Sequence, residues 1–330
     1  MARHPWVAAA DNGIRFGLQL VVPDEPDALP CLLETGKWVE ELGFDGIFIF
    51  DHPVSHADPW VCLSALAAVT ERVRLGSAVN CAPYRHPAYL ARLASDVDHL
   101  SRGRLVLGLG SGWWEAEFRS LDLPFGTPAQ RQAALDETIT VVEGVWGTEP
   151  FSFDGNHVRT EATRISPPLQ QPRPPLMLGG SGEQRTLRQV ARLADACNIT
   201  EPRASSDAAR FASAADAISH KLAVLRQHCE DLGRAYEEIL RSHFTLNLLL
   251  APSAEEATAK RDRVDPSTST SPGTRRDGRS SIKAFTPEEA VAYYQSLVDA
   301  GIQYFIIQLD GRDMETIDLL ATAVIPHVGR

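Results

Sequence analysis

Cysteine is scarce in this chain, and what there is does not pair: Cys31, Cys62, Cys81, Cys197 and Cys229 are odd in number, widely spaced and free of any CxxC motif. That pattern argues against a disulfide framework and a structural zinc site, and leaves buried thiols as the reading for most of them. The histidines have no HExxH-type spacing, so no metal is expected. Positive charge is in the minority: 32 Lys and Arg against 43 Asp and Glu give a formal net charge of −11, with no basic stripe for a phosphate backbone. Nucleic acid is not an expected partner. No apolar run approaches the ~20 residues that cross a bilayer. The opening MARHPWVAAADNG also lacks a signal peptide's apolar stretch and cleavage pattern. The expected setting is cytoplasmic, with no membrane contact.

What the chain does have is apolar content, 44% over 330 residues, enough to bury a large core. The reading is one domain over residues 1–330. Short β-rich runs recur at Ile14–Leu20, Gly46–Phe50, Val73–Asn80, Leu105–Gly110, Leu176–Gly180, Ala196–Thr200, Phe244–Leu250 and Gln303–Leu309. Between and after them lie helical patterns at Ala28–Leu42, Pro59–Thr70, Pro87–Leu100, Ala129–Trp146, Gln184–Ala194, Ala208–Leu232, Pro287–Ala300 and Met314–Val328. Strands buried on both faces read as continuous apolar runs, as GIFIF, LVLGLG and YFIIQL do. Eight of each predict a (β/α)8 TIM barrel, with a doubly wound sheet as the alternative.

Two segments exceed a minimal barrel. After the fourth helix, residues 149–175 contain FSFDGNHVRT, where Asp154-Gly155 signals a hairpin turn between strand-like flanks. After the seventh strand, Arg261–Ser281 is a long loop rich in Ser, Thr, Pro, Gly and Arg, read either as a lid over the ligand face or as a disordered insertion.

In a barrel, residues just past the carboxyl ends of strands carry function. Those positions hold Asp51-His52, Asn80-Cys81, Ser111-Gly112-Trp113 and Gly179-Gly180-Ser181-Gly182, which converge on one pocket. His52 is the candidate for proton transfer because its ordinary pKa lies near neutrality. The run Gly108-Leu109-Gly110-Ser111-Gly112 lacks the third glycine of a dinucleotide fingerprint and is read as a close backbone approach to a ring or strand. Gly179–Gly182 before a helix offers N–H groups and a serine hydroxyl, an anion seat whose expected occupant is phosphate. Trp60 and Trp113 are expected to wall the pocket. Glu117 is read as a pocket carboxylate, against the alternative of a solvated first helical turn.

Together these stretches resemble the luciferase-like superfamily of flavin and deazaflavin oxidoreductases, and within it the group of coenzyme F420-dependent oxidoreductases. The resemblance runs through Phe16-Gly17-Leu18, FDGIFIFDH, DPW at Asp58–Trp60, VRLGSAV, YRHPAYLARLASDVDHLSRGRLVLGLGSGWWEAEF, PPLMLGGSG, DACN and IQYFIIQL. It implies a dimeric barrel with a cofactor ring in its mouth, Asp51 and His52 beside the ring, and a phosphate loop at Gly179–Gly182. It also implies cofactor contacts at Asn80, Gly110, Ser111 and Gly112, and a non-proline cis peptide between Ala78 and Val79 backing the ring. Sugar-phosphate dehydrogenases of the family have an acidic glutamate after the Gly-rich turn, where this chain has Trp113. That acid role does not carry over, and an apolar or aromatic substrate is expected instead. The implied activity is hydride transfer between F420 and a small organic molecule. The alternatives are a two-component monooxygenase using reduced FMN, supplied by a separate flavin or F420 reductase, and a barrel that binds its ligand without chemistry.

Overall fold

Apolar runs with no polar face can be buried only between two layers, and here they form a parallel sheet closed on itself inside a ring of helices. The computed structural model describes residues 3–200, 210–264 and 282–329. In chain order its strands are β1 (Arg15–Val21), β2 (Gly46–Ile49), β3 (Arg74–Ser77), β4 (Asn80–Cys81), β5 (Leu105–Gly110), β6 (Phe151–Asp154) and β7 (Arg159–Thr163). They continue as β8 (Leu176–Gly179), β9 (Ala196–Ile199), β10 (Leu240–Thr245), β11 (Leu248–Leu250), β12 (Lys283–Phe285) and β13 (Tyr304–Asp310). The main sheet runs β3-β2-β1-β13-β10-β9-β8-β5-β4, and β3 also pairs with β5, which closes it. Because β3 and β4 are two halves of one interrupted strand, this is an eight-stranded parallel TIM barrel.

The expected strand Val73–Asn80 is broken at a cis peptide between Ala78 and Val79. The expected strand Phe244–Leu250 is corrected further. The barrel strand begins at Leu240, and Asn247, with φ of 48°, separates off β11, which pairs with β12 outside the barrel. The segment LRSHFT hid this strand because its polar residues are buried: Ser242 and His243 have no exposed surface, and the Ser242 hydroxyl donates to the Cys197 carbonyl at 2.6 Å.

Helices Pro59–Val69, Pro87–Leu100, Pro128–Val145 and Pro287–Asp299 all start on proline, whose missing N–H costs nothing there. Two carry capping boxes, Thr127 with Gln130 and Thr286 with Glu289. Elsewhere the expected helices shrink. The fifth runs Thr186–Leu193, the sixth Ala214–Asp231 with Ser213 as its cap, and the last is α-helical only over Met314–Leu319 before a wider turn at Leu320–Val324. The hairpin β6–β7 is antiparallel, and the Glu137 carboxylate accepts the N–H groups of Asn156, His157 and Val158 at its turn. Of the expected loop Arg261–Ser281, residues 261–263 complete the helix Ala254–Arg263, and 265–281 lie outside the described residues, as does the lid reading with them.

The interior of the barrel is filled by Phe48, Val106, Met177, Leu240, Tyr304 and Ile306, with Trp6 and Val7 plugging the amino end. That plug, the short helix Pro5–Ala8, was not expected from the sequence. Trp6 meets Tyr304 edge-on at 5.4 Å and donates its indole N–H to Asp45. Glycines make the room: a Cβ on Gly46 would lie 2.7 Å from the Tyr304 hydroxyl and 2.8 Å from the Phe48 ring. Gly46→Ala is therefore expected to destabilise the fold by about 1–3 kcal/mol through overpacking, measured by denaturant unfolding.

The loop after β2 adds a pH term. His56 is buried, stacks edge-on against Phe50 at 4.5 Å, and has its pKa lowered from 6.5 to about 4 by burial first and by the nearby His52 second. Because the folded value lies below the unfolded one, stability is full above pH 6.5 and is lost as pH falls toward 4. Across that window the wild type is expected to lose about 3 kcal/mol more than His56→Gln. Unfolding curves of both proteins at stepped pH check this.

Candidate active site

The carboxyl ends of the strands meet around a cavity of about 310 Å³, within the range of small-molecule pockets. Asp51, just past β2, ties this end together. Its Oδ2 accepts the Cys81 N–H at 3.1 Å and the Arg85 Nη1 at 2.5 Å, and Arg85 also binds Asp58. Burial pushes the Asp51 carboxyl above its ordinary pKa while Arg85 pulls it back. Asp51 lines the cavity, and its Oδ1 is buried without a hydrogen-bond partner among the described residues.

The break between β3 and β4 turns Ala78 and Val79 into the cavity. Gln19 of β1 donates to the Ala78 carbonyl, and Gln308 of β13 donates to Gln19 at 2.7 Å. Val79 fits between two glycines: a Cβ on Gly110 would lie 2.7 Å from it, and one on Gly179 2.8 Å. Ser77 and Asn80 brace the break from behind, with the Asn80 amide donating to the Ser77 hydroxyl at 2.6 Å and that hydroxyl donating to the Gly108 carbonyl at 2.8 Å. Asn80 is fully buried and does not line the cavity, so the expected cofactor contact becomes a structural brace.

Past β5, Gly112 takes a φ of 77°, and a Cβ there would collide with the Phe118 ring and the Cys81 sulfur. This lets Gly110, Ser111 and Gly112 reach the cavity and turns Trp113 and Trp114 over it. The His52 ring packs edge-on against both indoles, at 6.1 Å and 5.7 Å. Trp113 is about half exposed at 48%, an apolar flap at the mouth. Trp60, expected beside it, is instead a core residue at 3% exposure. Its helix starts at Pro59 with Asp58 accepting the Trp60 N–H, which aims the side chain inward. Glu117 likewise is absent from the wall: it is 1% exposed and lies behind His52, its Oε2 2.8 Å from His52 Nδ1.

Of the Gly-rich loop after β8, Gly179 and Gly180 line the cavity, and Ser181 and Gly182 do not. The Ser181 hydroxyl is committed to Thr200, donating to its carbonyl and accepting its N–H, both at 3.1 Å. Lys221, in the helix Ala214–Asp231, donates to the Ser181 carbonyl at 2.9 Å. The hydroxyls at this edge belong to Thr186 and Thr200, and Gln132 bridges Ser111 and Thr186. Sequence reasoning missed Gln132, Thr186, Thr200, Gln19 and Gln308. The two glutamines carried a signal, each being the one polar residue inside an apolar strand, FGLQLV and FIIQL.

The wall mixes apolar and polar surface, and among the described residues no Lys or Arg lines it. Cys81 is there, but burial pushes its thiol far up, so it is no nucleophile at neutral pH. Among the described residues no helix is long and apolar enough to cross a membrane.

Comparison with known proteins bears on this site. Over 175 residues the chain is 34% identical to the F420-dependent glucose-6-phosphate dehydrogenase of Microbacterium testaceum, covering 50% of each chain. It spans about half the length of the curated relatives it matches. Two solved structures share its fold across nearly the whole chain. An F420-dependent secondary alcohol dehydrogenase, solved with an F420–acetone adduct, has a TM-score of 0.78 at 17% identity, with 96% of this chain and 100% of that one covered. The oxygenating constituent of 3,6-diketocamphane monooxygenase from Pseudomonas putida, solved with FMN, has a TM-score of 0.74 at 16% identity, with 96% and 99% covered. Residues 15–303 match the family described as luciferase-like monooxygenase. With a closed barrel, a cavity at its carboxyl end and a match over most of its length, the chain belongs to the luciferase-like monooxygenase family of oxidoreductases and is an enzyme.

Proposed function

We propose that this enzyme is an F420-dependent oxidoreductase acting on a small neutral organic substrate, apolar or aromatic, with His52 handling the proton. When bound, the deazaflavin would supply hydride chemistry at its ring carbon C5. The observation that carries the reading is that three residues lining one cavity, Asp51, Gln132 and Gln308, each hold a buried oxygen with no hydrogen-bond partner among the described residues: Oδ1, Oε1 and Oε1. Each such oxygen costs about 1–3 kcal/mol unless a ligand donates to it. A planar heterocycle with N–H and hydroxyl groups at its rim fits that acceptor set.

In this reading Val79 and the Ala78 carbonyl back the ring, and Gln19, Gln308 and Asp51 serve its polar edge. Gly110, Ser111, Gly112, Gly179 and Gly180 let the backbone come close, with Thr186 and Thr200 at the phosphate end beside Ser181 and Gly182. His52 keeps Nε2 for the reacting group, since Nδ1 is engaged with Glu117. Trp113 and Trp114 shield the reacting atoms from water. The indole of Trp113 and the lack of a cation on the described wall favour an uncharged substrate over a sugar phosphate. Reloading of the cofactor falls to a separate reductase, and the working unit is a homodimer.

Fluorescence titration of the purified protein with F420 and with FMN tests the reading. F420 is expected to bind more tightly. Tight FMN binding without F420 binding would overturn it in favour of a monooxygenase using reduced FMN. His52→Ala is expected to lower turnover about 10²–10⁴-fold while F420 affinity stays within about threefold of wild type, measured by steady-state kinetics beside the same titration.

A further inference from the structure

Behind His52 lies a chain of polar groups in which Glu117 is off the cavity wall while Tyr84 is on it. Glu117, in the short helix Glu115–Ser120, presents one oxygen to two groups: Oε2 lies 2.8 Å from His52 Nδ1 and accepts the Tyr84 hydroxyl at 2.5 Å. Its other oxygen, Oε1, is buried with no hydrogen-bond partner among the described residues. Tyr84 is held by its ring against Phe118 at 5.1 Å. Burial first, with the Glu117 carboxylate adding to it, pushes its hydroxyl well above the usual range, so it remains a donor.

A carboxylate oxygen that accepts the tyrosine hydroxyl's hydrogen bond and faces an imidazole nitrogen at this distance is an acceptor there too, which puts the hydrogen on Nδ1. A neutral imidazole carries only one N–H, so Nε2 then keeps its lone pair. Free histidine prefers the opposite arrangement, with the hydrogen on Nε2. The carboxylate is therefore not idle packing: it selects which nitrogen the cavity meets.

We propose that Glu117 is a positioning residue that locks His52 in the Nδ1–H tautomer and so presents Nε2 to the ligand as a proton acceptor. This rests on the reading of His52 as the proton-transfer group. On accepting a proton at Nε2, His52 becomes an imidazolium whose Nδ1–H still points at the Glu117 carboxylate, so the new charge is met without rearrangement. On release the same tautomer returns. Glu117 itself touches neither ligand.

The test is ¹⁵N NMR of histidine-labelled protein, without added ligand, at a pH where His52 is neutral. Wild-type His52 is expected to show a protonated Nδ1 and an unprotonated Nε2. In Glu117→Ala the tautomer ratio is expected to move about tenfold or more toward Nε2–H, the scale of one lost charge-assisted hydrogen bond. An Nε2–H tautomer in the wild type, or an unchanged ratio in Glu117→Ala, would overturn the proposal. The wild-type measurement decides even where the alanine variant does not fold. In a second arm, Glu117→Gln is expected to bind F420 within about threefold of wild type. A loss of about tenfold or more would make Glu117 a ligand contact and overturn the positioning role. Should wild type bind FMN rather than F420, the choice of cofactor falls and FMN becomes the titrant, while the tautomer result is judged separately.

Discussion

The interior of an eight-stranded barrel is too narrow for a full side chain at every inward position, and this volume limit governs the molecule. Phe48 and Tyr304 take the space near the amino end, and Gly17, Gly46 and Gly76 yield it to them. Toward the other end the same limit is met differently. Val79 enters from the break between β3 and β4 and is accommodated by Gly110 and Gly179. One end is thus packed solid around aromatic rings. At the other, a small branched residue and bare backbone leave a floor on which a flat ligand has room.

Polar groups placed on that floor could not be left to solvent, and their arrangement follows from hydrogen-bond accounting. Gln308 donates to Gln19, which donates to the Ala78 carbonyl, so two strands and the break share one amide relay. Ser77 and Asn80 satisfy the backbone behind the break. Among the oxygens without a protein hydrogen-bond partner in the described residues, Asp51 Oδ1, Gln132 Oε1 and Gln308 Oε1 belong to residues of the cavity wall, and Glu117 Oε1 lies behind His52.

Much of this was legible in the chain. Strands buried on both faces leave unbroken apolar runs, so GIFIF, LVLGLG and YFIIQL marked β2, β5 and β13 from composition alone, and proline at helix starts fixed the outer layer. The strand β10 was not legible, because its Ser242 and His243 find partners only in the folded barrel and read as loop residues in a linear string. The plug around Trp6 was missed since a four-residue helix has no periodicity to detect. At the site, strand ends pointed to His52, Asp51 and Trp113. Adjacency in sequence also suggested Trp60, which the helix start turns into the core, and Asn80, whose amide bonds back to the strand break. Gln132 and Thr186 belong to helices, and the direction of a helical side chain is set by packing that the string does not contain.

The seal at the amino end has a bearing on order. With Trp6 and Val7 packed at the amino end of the barrel, the cavity lies at the carboxyl end, where Trp113 stands half exposed on its wall. Under the proposed function, the cofactor seated against Val79 would be the deeper guest and would stay resident across many visits of the shallower substrate.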